Sequence, residues 1–343
     1  MTSFALARLR RLLQLNKHLF SSSEATGDGT KRIIGYWMLG SAAAVAGIVA
    51  VGGLTRLTES GLSMVDWKLV HFRPPSNPQE WQEYFERYKA TPEYKVKNNQ
   101  MSIDEFKKIY MWEHVHRVYG RVLGLMIIVP TACVNFVFPK LATPRHRKIM
   151  LFSSALVVAQ GLFGWYMVKS GLDEEMVNEQ QAARVSACRL AGHLSMAVAL
   201  YSTLFYTGMS ILSTSNSRLV EPAVKPILRK LRMGVHSCSG LILLTMFSGA
   251  LVAGLDAGMI YNTFPKMGNR WVPSDVWVKE KGLNNVTDNP TTAQFNHRIL
   301  AIGTVGSVTG LYLWAWKYRQ SLPRRIRVGL DLLLGISYAQ GSL

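Results

Sequence analysis

Seven long apolar stretches constrain this chain more than any other feature. They run near Ile34–Val51, Val118–Phe138, Ile149–Val168, Leu190–Leu212, Met233–Leu255, Ile299–Trp316 and Val328–Ala339. Most approach the ~20 residues that a helix needs to cross a hydrocarbon core. The expected fold is an all-α polytopic membrane protein with seven spans. Composition points the same way, with 48% hydrophobic and only 17% charged residues among 343.

The formal net charge of +18 would suggest a nucleic-acid partner in a soluble protein. Here the cations gather in short loops between apolar runs, so no nucleic acid is expected and the lipid bilayer is the surrounding. Lys140, Arg145, Arg147 and Lys148 crowd 139–148, and Lys225, Arg229, Lys230 and Arg232 crowd 213–232. Lys317, Arg319, Arg324, Arg325 and Arg327 crowd 317–327. The positive-inside rule puts these loops and the N-terminus on one side. Residues 1–23 hold Arg8, Arg10, Arg11 and Lys17 among Leu and Ser and contain no acid. That is the pattern of a mitochondrial transit peptide, so 1–30 reads as a presequence. The basic side is then the matrix, with the chain in the mitochondrial inner membrane. Cys133, Cys188 and Cys238 form no CxxC, which argues against a disulfide framework or a zinc site.

Chemistry-bearing residues concentrate at the mouth of the second span, in Trp112-Glu113-His114-Val115-His116-Arg117-Val118-Tyr119-Gly120-Arg121. Ionisable groups at a membrane boundary are costly unless paired or used. On a helix Glu113 and His116 share a face at i, i+3, whereas His114 points elsewhere. His116, His193 and His297 each open a span that starts from the side opposite the basic loops, so they lie at one depth. His236 opens a span from the basic side.

The chain also repeats itself. The first span ends in Gly52-Gly53 and the fifth in Gly249 to Gly254, and each is followed by a long outer loop. Those loops lead to His116-Arg117 and His297-Arg298. Two four-helix halves follow, 31–214 and 215–343, related as parallel repeats. The step from His116 to His193 (193 − 116 = 77), repeated from His297, passes Leu343. The second half is therefore expected to lack its last span and the partner of His297.

Paired imidazoles on neighbouring helices suit haem iron. Copper or zinc could use the same nitrogens, and any single histidine could be an interfacial residue bonded to water. Three at one depth, in matching repeat positions, favour haem. Arg117 and Arg298 suit propionates or, equally, lipid headgroups. Glu113 has Gln294 as its repeat counterpart, so one half keeps a titratable group. A carboxylate there suits proton transfer or stabilisation of a developing cation. An ion pair with Arg117 or Arg121 is the plainer alternative.

Three stretches resemble the eukaryotic form of heme A synthase. They are Gly52 to Met64, the Glu-x-x-His-Arg of Glu113 to Arg117, and Gly254 to Gly268 with its Tyr261-Asn262-Thr263-Phe264-Pro265 core. Gln160 to Gly171 and Gln294 to Arg298 are similar too. The resemblance implies oxidation of a methyl group of haem O, through an alcohol, to the formyl group of haem A for cytochrome c oxidase biogenesis. It implies that His116 and His193 hold the substrate haem O and that Glu113 is the catalytic carboxylate. It implies His297 as a ligand of haem b in the second half, facing a residue of an eighth span. The expected partners are haem O, the enzyme that produces it and an electron-transfer protein; self-association into a homo-oligomer stays open. Residues 56–115 contain no cysteine, so no thiol step occurs there. Two other classes compete: a b-type electron-transfer cytochrome, which needs only the histidine pairs, and a non-catalytic assembly factor.

Overall fold

The structure, a computed structural model, describes residues 28–67, 72–172, 185–213 and 224–341. The presequence reading lies almost wholly outside the described residues, as do His18 and His71. Among the described residues every regular element is a helix.

Helix α1 spans Asp28–Leu57. Two short helices follow, α2 (Pro78–Lys89) and α3 (Pro92–Val96). Helix α4 spans Ile103–Ala132 and runs on into a wide π turn, Cys133–Val137. Helices α5 (Pro144–Gly171), α6 (Ala187–Ser213), α7 (Lys225–Gly254), α8 (Pro290–Trp316) and α9 (Arg324–Gly341) complete the chain. Local chemistry sets several starts. Asn77, Ser102, Thr143 and Asn289 each accept a backbone N–H of the turn they open, and Ser102 with Glu105 forms a reciprocal capping box.

Among the described residues six helices are long and apolar enough to cross a membrane: α1, α4 with its π turn, α5, α6, α7 and α8. The seventh expected run is also helical. It folds as α9, but Arg324, Arg325, Arg327 and Asp331 fall on that 18-residue helix and remove an uninterrupted apolar length. Arg319 donates to both Asp331 oxygens at 2.9 Å, and the Tyr312 hydroxyl to one of them at 3.0 Å, which fastens α9 to the end of α8. Helix starts also differ from the apolar boundaries. The capping box begins α4 at Ile103, well before Val118, so His116 lies inside a helix that projects beyond the apolar run.

Helices α1, α4, α5 and α6 close a ring in which each packs on two neighbours, α1 opposite α5 and α4 opposite α6. Met38, Ala42 and Val45 of α1 line its core with Leu123 and Ile127 of α4, Met150 of α5 and Leu200 and Leu204 of α6. Pro130 has no N–H for the Met126 carbonyl one turn back, and the Trp37 indole N–H supplies that bond at 3.1 Å. Helix α7 packs on α6, α8 on α7, and α9 on α8. The α6–α7 join is made of small residues. A Cβ at Gly254 would stand 2.6 Å from the Ala187 Cα, so only glycine permits this approach.

The first outer loop is folded rather than loose. Phe85 and Tyr88 of α2 bury against Met64 and against Phe106 and Tyr110 of α4, with Trp81 set edge-on to Tyr110 at 5.2 Å. This aromatic cap sits at the end of the ring where α1 finishes and α4 begins.

Candidate active site

One helical turn of α4 separates Glu113 from His116. Glu113 is 2% exposed. Its Oε2 accepts from the Ser63 hydroxyl at 2.6 Å and from the Met64 backbone N–H at 2.8 Å. Its Oε1 accepts from Arg117 Nη2 at 2.6 Å. Arg117 also donates to the carbonyls of Met64 (3.0 Å) and Asp66 (2.9 Å), and its guanidinium lies over the Trp67 ring at 4.7 Å. Together the pair pins segment 60–67 onto α4. The ion pair weighed against a chemical role is therefore present, with Arg117 as the partner; the Arg121 guanidinium lies over Phe72 at 5.8 Å. Arg117 spends much of its donor capacity on the loop rather than on an open face.

The two neighbouring histidines part company. His114 is buried in the cap, stacked on Tyr110 with centroids 6.0 Å apart and planes 12° apart. His116 turns towards α1, where a Cβ at Gly52 would stand 3.2 Å from its Nε2. His193 comes from α6, the helix opposite α4 in the ring. A Cβ at Gly164 of α5 would stand 3.4 Å from the His193 Cε1. One turn earlier on α5, Gln160 donates to the His193 carbonyl at 3.0 Å, and the Phe163 ring lies parallel to the imidazole at 6.1 Å. The His193 Nδ1 is buried with no hydrogen-bond partner among the described residues.

The contacts around His297 parallel those around His116, with the polarity of the loop bond inverted. A Cβ at Gly249 of α7 would stand 3.0 Å from the His297 Cε1, and the His297 Nδ1 is 2.8 Å from the Ser248 hydroxyl. Gln294 donates to the Tyr261 carbonyl at 2.7 Å, whereas Glu113 only accepts from its loop. Arg298 donates to the carbonyls of Tyr261 (2.8 Å) and Thr263 (2.7 Å), as Arg117 does to Met64 and Asp66. His236 belongs elsewhere. Its Nδ1 is 2.6 Å from the Arg232 carbonyl. It precedes Gly249 by thirteen residues of α7 (249 − 236), or ~20 Å of helix.

This arrangement fits haem. Among the described residues no group of three or more His, Cys, Asp or Glu could hold a bare metal ion. His116 and His193 instead offer one imidazole each from opposed helices, each against a helix surface bare of side chain, which is the donor set of haem iron rather than of tetrahedral zinc. Ser63, the Met64 N–H, Gln160, Gly164 and Ser248 were not assigned roles from the sequence. Most of them lie inside the stretches that carry the family resemblance, but their roles depend on contacts far away in the chain.

A protein-family profile described as cytochrome oxidase assembly protein matches residues 35–343. The heme A synthase COX15 of Bos taurus is 45% identical over 325 residues, covering 94% of this chain and 76% of that one. The chain belongs to the heme A synthase family. The Saccharomyces cerevisiae member is 37% identical, over 92% of this chain and 68% of its own length. A heme A synthase–mitochondrial ferredoxin fusion protein of Schizosaccharomyces pombe is 42% identical, over 90% of this chain and 54% of the fusion. No solved structure matches the chain. Against the heme A synthase family, the Glu-x-x-His-Arg of α4 gains a context: its carboxylate is buried and triply bonded.

Proposed function

We propose that the ring of α1, α4, α5 and α6 is the catalytic half, with haem O held by His116 and His193 and with Glu113 as the catalytic carboxylate. As a heme A synthase the chain is an oxidoreductase of a mitochondrial membrane that converts haem O to haem A for cytochrome oxidase. The observation that carries the site assignment is Glu113, buried one turn from His116 and fixed by three donors. Converting a methyl to a formyl group takes protons as well as electrons from carbon, and a carboxylate held beside the haem ligand can accept those protons. Arg117, Ser63 and the Met64 N–H hold that carboxylate in one orientation. A bare electron-transfer cytochrome would need no such group.

His297 is the candidate ligand of haem b in the second half, 215–343, against the first half, 31–214. When bound there, haem b supplies one-electron transfer to and from the first site. Gln294 keeps the loop bond of this half without a titratable group. Arg117 and Arg298 are the candidate propionate partners through the N–H groups left over from their loops. The S. pombe fusion to mitochondrial ferredoxin supports an electron-transfer partner. The cations at the ends of α5, α7 and α9 support an inner-membrane topology with those ends and the N-terminus in the matrix. The aromatic cap is then in the intermembrane space, and protease added to mitoplasts should cut near residues 75–100 without permeabilisation.

Pigment analysis of membranes carrying the protein tests the site. His116→Ala and His193→Ala should each abolish bound haem O and haem A formation, while His114→Ala keeps both. Equal loss in the His114 and His116 variants would sink the assignment; a haem b spectrum with no haem A in the wild type would make the chain a carrier.

A further inference from the structure

A buried hydroxyl is set against the ring of His297. Ser248 precedes Gly249 on α7, and the imidazole lies along the bare backbone that the glycine leaves. A Cβ at Gly249 would stand 3.0 Å from the His297 Cε1 and 3.5 Å from its Nδ1. This close approach puts Nδ1 2.8 Å from the Ser248 Oγ. The same Oγ donates to the Thr245 carbonyl, three residues back on α7, at 2.8 Å. A serine hydroxyl has one proton to give. With that proton on Thr245, the oxygen meets His297 as an acceptor, so Nδ1 carries the hydrogen. A neutral imidazole has a single N–H, which leaves the lone pair on Nε2. The spacing between the two helices is fixed nearby. The Thr245 hydroxyl is 2.7 Å from the Thr304 hydroxyl and 3.3 Å from the Leu300 carbonyl, both on α8. Neither neighbouring site shows the same device. The residue before Gly52 on α1 is Val51, which has no hydroxyl, and the buried His193 Nδ1 has no partner among the described residues.

We propose that Ser248 is a positioning residue for haem b, holding His297 as the Nδ1–H tautomer with Nε2 as its ligating nitrogen. The proposal rests on the reading of His297 as a haem b ligand. A ligand histidine whose other nitrogen donates to an oxygen is fixed in ring orientation and is the more basic for it. Ser248 therefore does two things at once. It aims the Nε2 lone pair away from α7, and it makes His297 a more electron-donating ligand than an imidazole with an unbonded Nδ1. Electron donation from the ligand favours ferric iron, so the hydroxyl holds the potential of the haem down.

The test is a redox titration of haem b in the purified protein, in wild type, Ser248→Ala, Ser248→Cys, Ser248→Thr and Ser239→Ala. Ser239 donates to the Val235 carbonyl on the same helix at 2.8 Å but is exposed, so its variant removes a helix serine away from His297. Ser248→Ala should raise the midpoint potential, because the ligand loses its acceptor, and should release haem b about ten-fold more readily. Ser248→Cys, a weaker acceptor of similar size, should move the potential part of the way. Ser248→Thr keeps the hydroxyl and should restore the wild-type value, and Ser239→Ala should leave it unchanged. A wild-type potential in both Ser248→Ala and Ser248→Cys, or an equal rise in Ser239→Ala, overturns the role of Ser248. Full retention of haem b by His297→Gln would overturn the ligand reading itself and the proposal with it. An unmoved potential in a protein whose haem b depends on His297 strikes Ser248 alone, so the two failures are distinct.

Discussion

Arg56, at the end of α1, holds the carbonyl of Ala253, near the end of α7. Its Nε and Nη2 donate to that oxygen at 3.0 and 2.6 Å, and Nη2 donates again to Asp256 at 2.6 Å. The contact spans 197 positions. The same step relates Gly52 to Gly249, the two glycines behind His116 and His297. It also relates Glu59 to Asp256, both left-handed with φ of 52°. If the two halves are the repeats proposed above, equivalent residues that touch lie on the axis relating them, and this clamp is where the halves would meet, one turn beyond each glycine.

The clamp should matter more than an ordinary surface ion pair, because two of its three bonds go to a backbone oxygen that cannot swing away. Arg56→Ala should cost about 1–3 kcal/mol and lower Tm in detergent. Asp256→Asn should cost less, since the Ala253 bonds survive. Arg56→Lys should fall between, having a point charge in place of the fork. Equal Tm for Arg56→Ala and wild type would remove the clamp as a stabilising contact.

The glycines behind the histidines should be graded by the space they leave. A Cβ would come within 3.0 Å of His297 at Gly249, 3.2 Å of His116 at Gly52 and 3.4 Å of His193 at Gly164. Contacts this tight force an imidazole to tilt. Alanine should therefore disturb haem retention most at Gly249, less at Gly52 and little at Gly164. Gly53, with nothing within 4 Å, is the control and should be neutral. Haem-to-protein ratios across the four variants check the order, and a Gly53→Ala loss as large as that of Gly249→Ala would contradict it.

The crossings were legible because ~20 apolar residues in a row admit few other folds. Their ends were less so. The Ser102–Glu105 capping box is visible in the sequence but lies in a polar stretch that hydropathy passes over, so α4 begins earlier than its apolar run. The cap was missed for the same reason: Trp81, Tyr84, Phe85 and Tyr88 recur at helical spacing, yet their polar neighbours average the signal away. Glu113 and His116 could be joined from sequence, since i, i+3 is a local relation. Ser63, fifty positions from Glu113, could not, because no local rule links a loop serine to a distant carboxylate.

Glu113 should be intolerant of shortening. Its carboxylate reaches Ser63, Met64 and Arg117 together, at 2.6–2.8 Å. Glu113→Asp withdraws the group by one methylene and should break at least one of those bonds, leaving Arg117 buried and poorly matched, at a cost of about 3–5 kcal/mol if the pair separates. Glu113→Gln keeps the size but turns an amide N–H₂ towards a donor or Arg117. It should retain haem O while stopping haem A formation, the split a catalytic group predicts. Loss of bound haem in Glu113→Gln would assign the residue to architecture. Denaturant unfolding and haem content, measured on the same preparations, separate the two.

The cap should lose stability as pH rises through the range where Glu93 gives up its proton. The folded carboxyl is lifted by burial from 4.5 to about 7, with the Tyr88 bond and Lys97 opposing the shift and Glu113 and Glu59 reinforcing it. Between those values the folded protein holds a proton that the unfolded chain has released, so unfolding releases protons and stability falls with pH. The contribution is fully present below about 4.5, declines through about 7 and is then lost, on the order of 3 kcal/mol in all. The exposed Glu80, Asp104 and Glu105 carry lowered values set first by hydrogen bonds from Ser76, Lys107 and Ser102. Their contribution has the opposite sign, present above the ordinary carboxylate range and lost on acidification, so it acts below the Glu93 window. Glu93→Gln cannot ionise and should flatten the slope between pH 4.5 and 7 while raising cap stability at pH 8. Amide exchange in α2 and α3, followed at several pH values in both proteins, reads this directly. Parallel pH profiles in wild type and Glu93→Gln would mean that Glu93 does not titrate in this range.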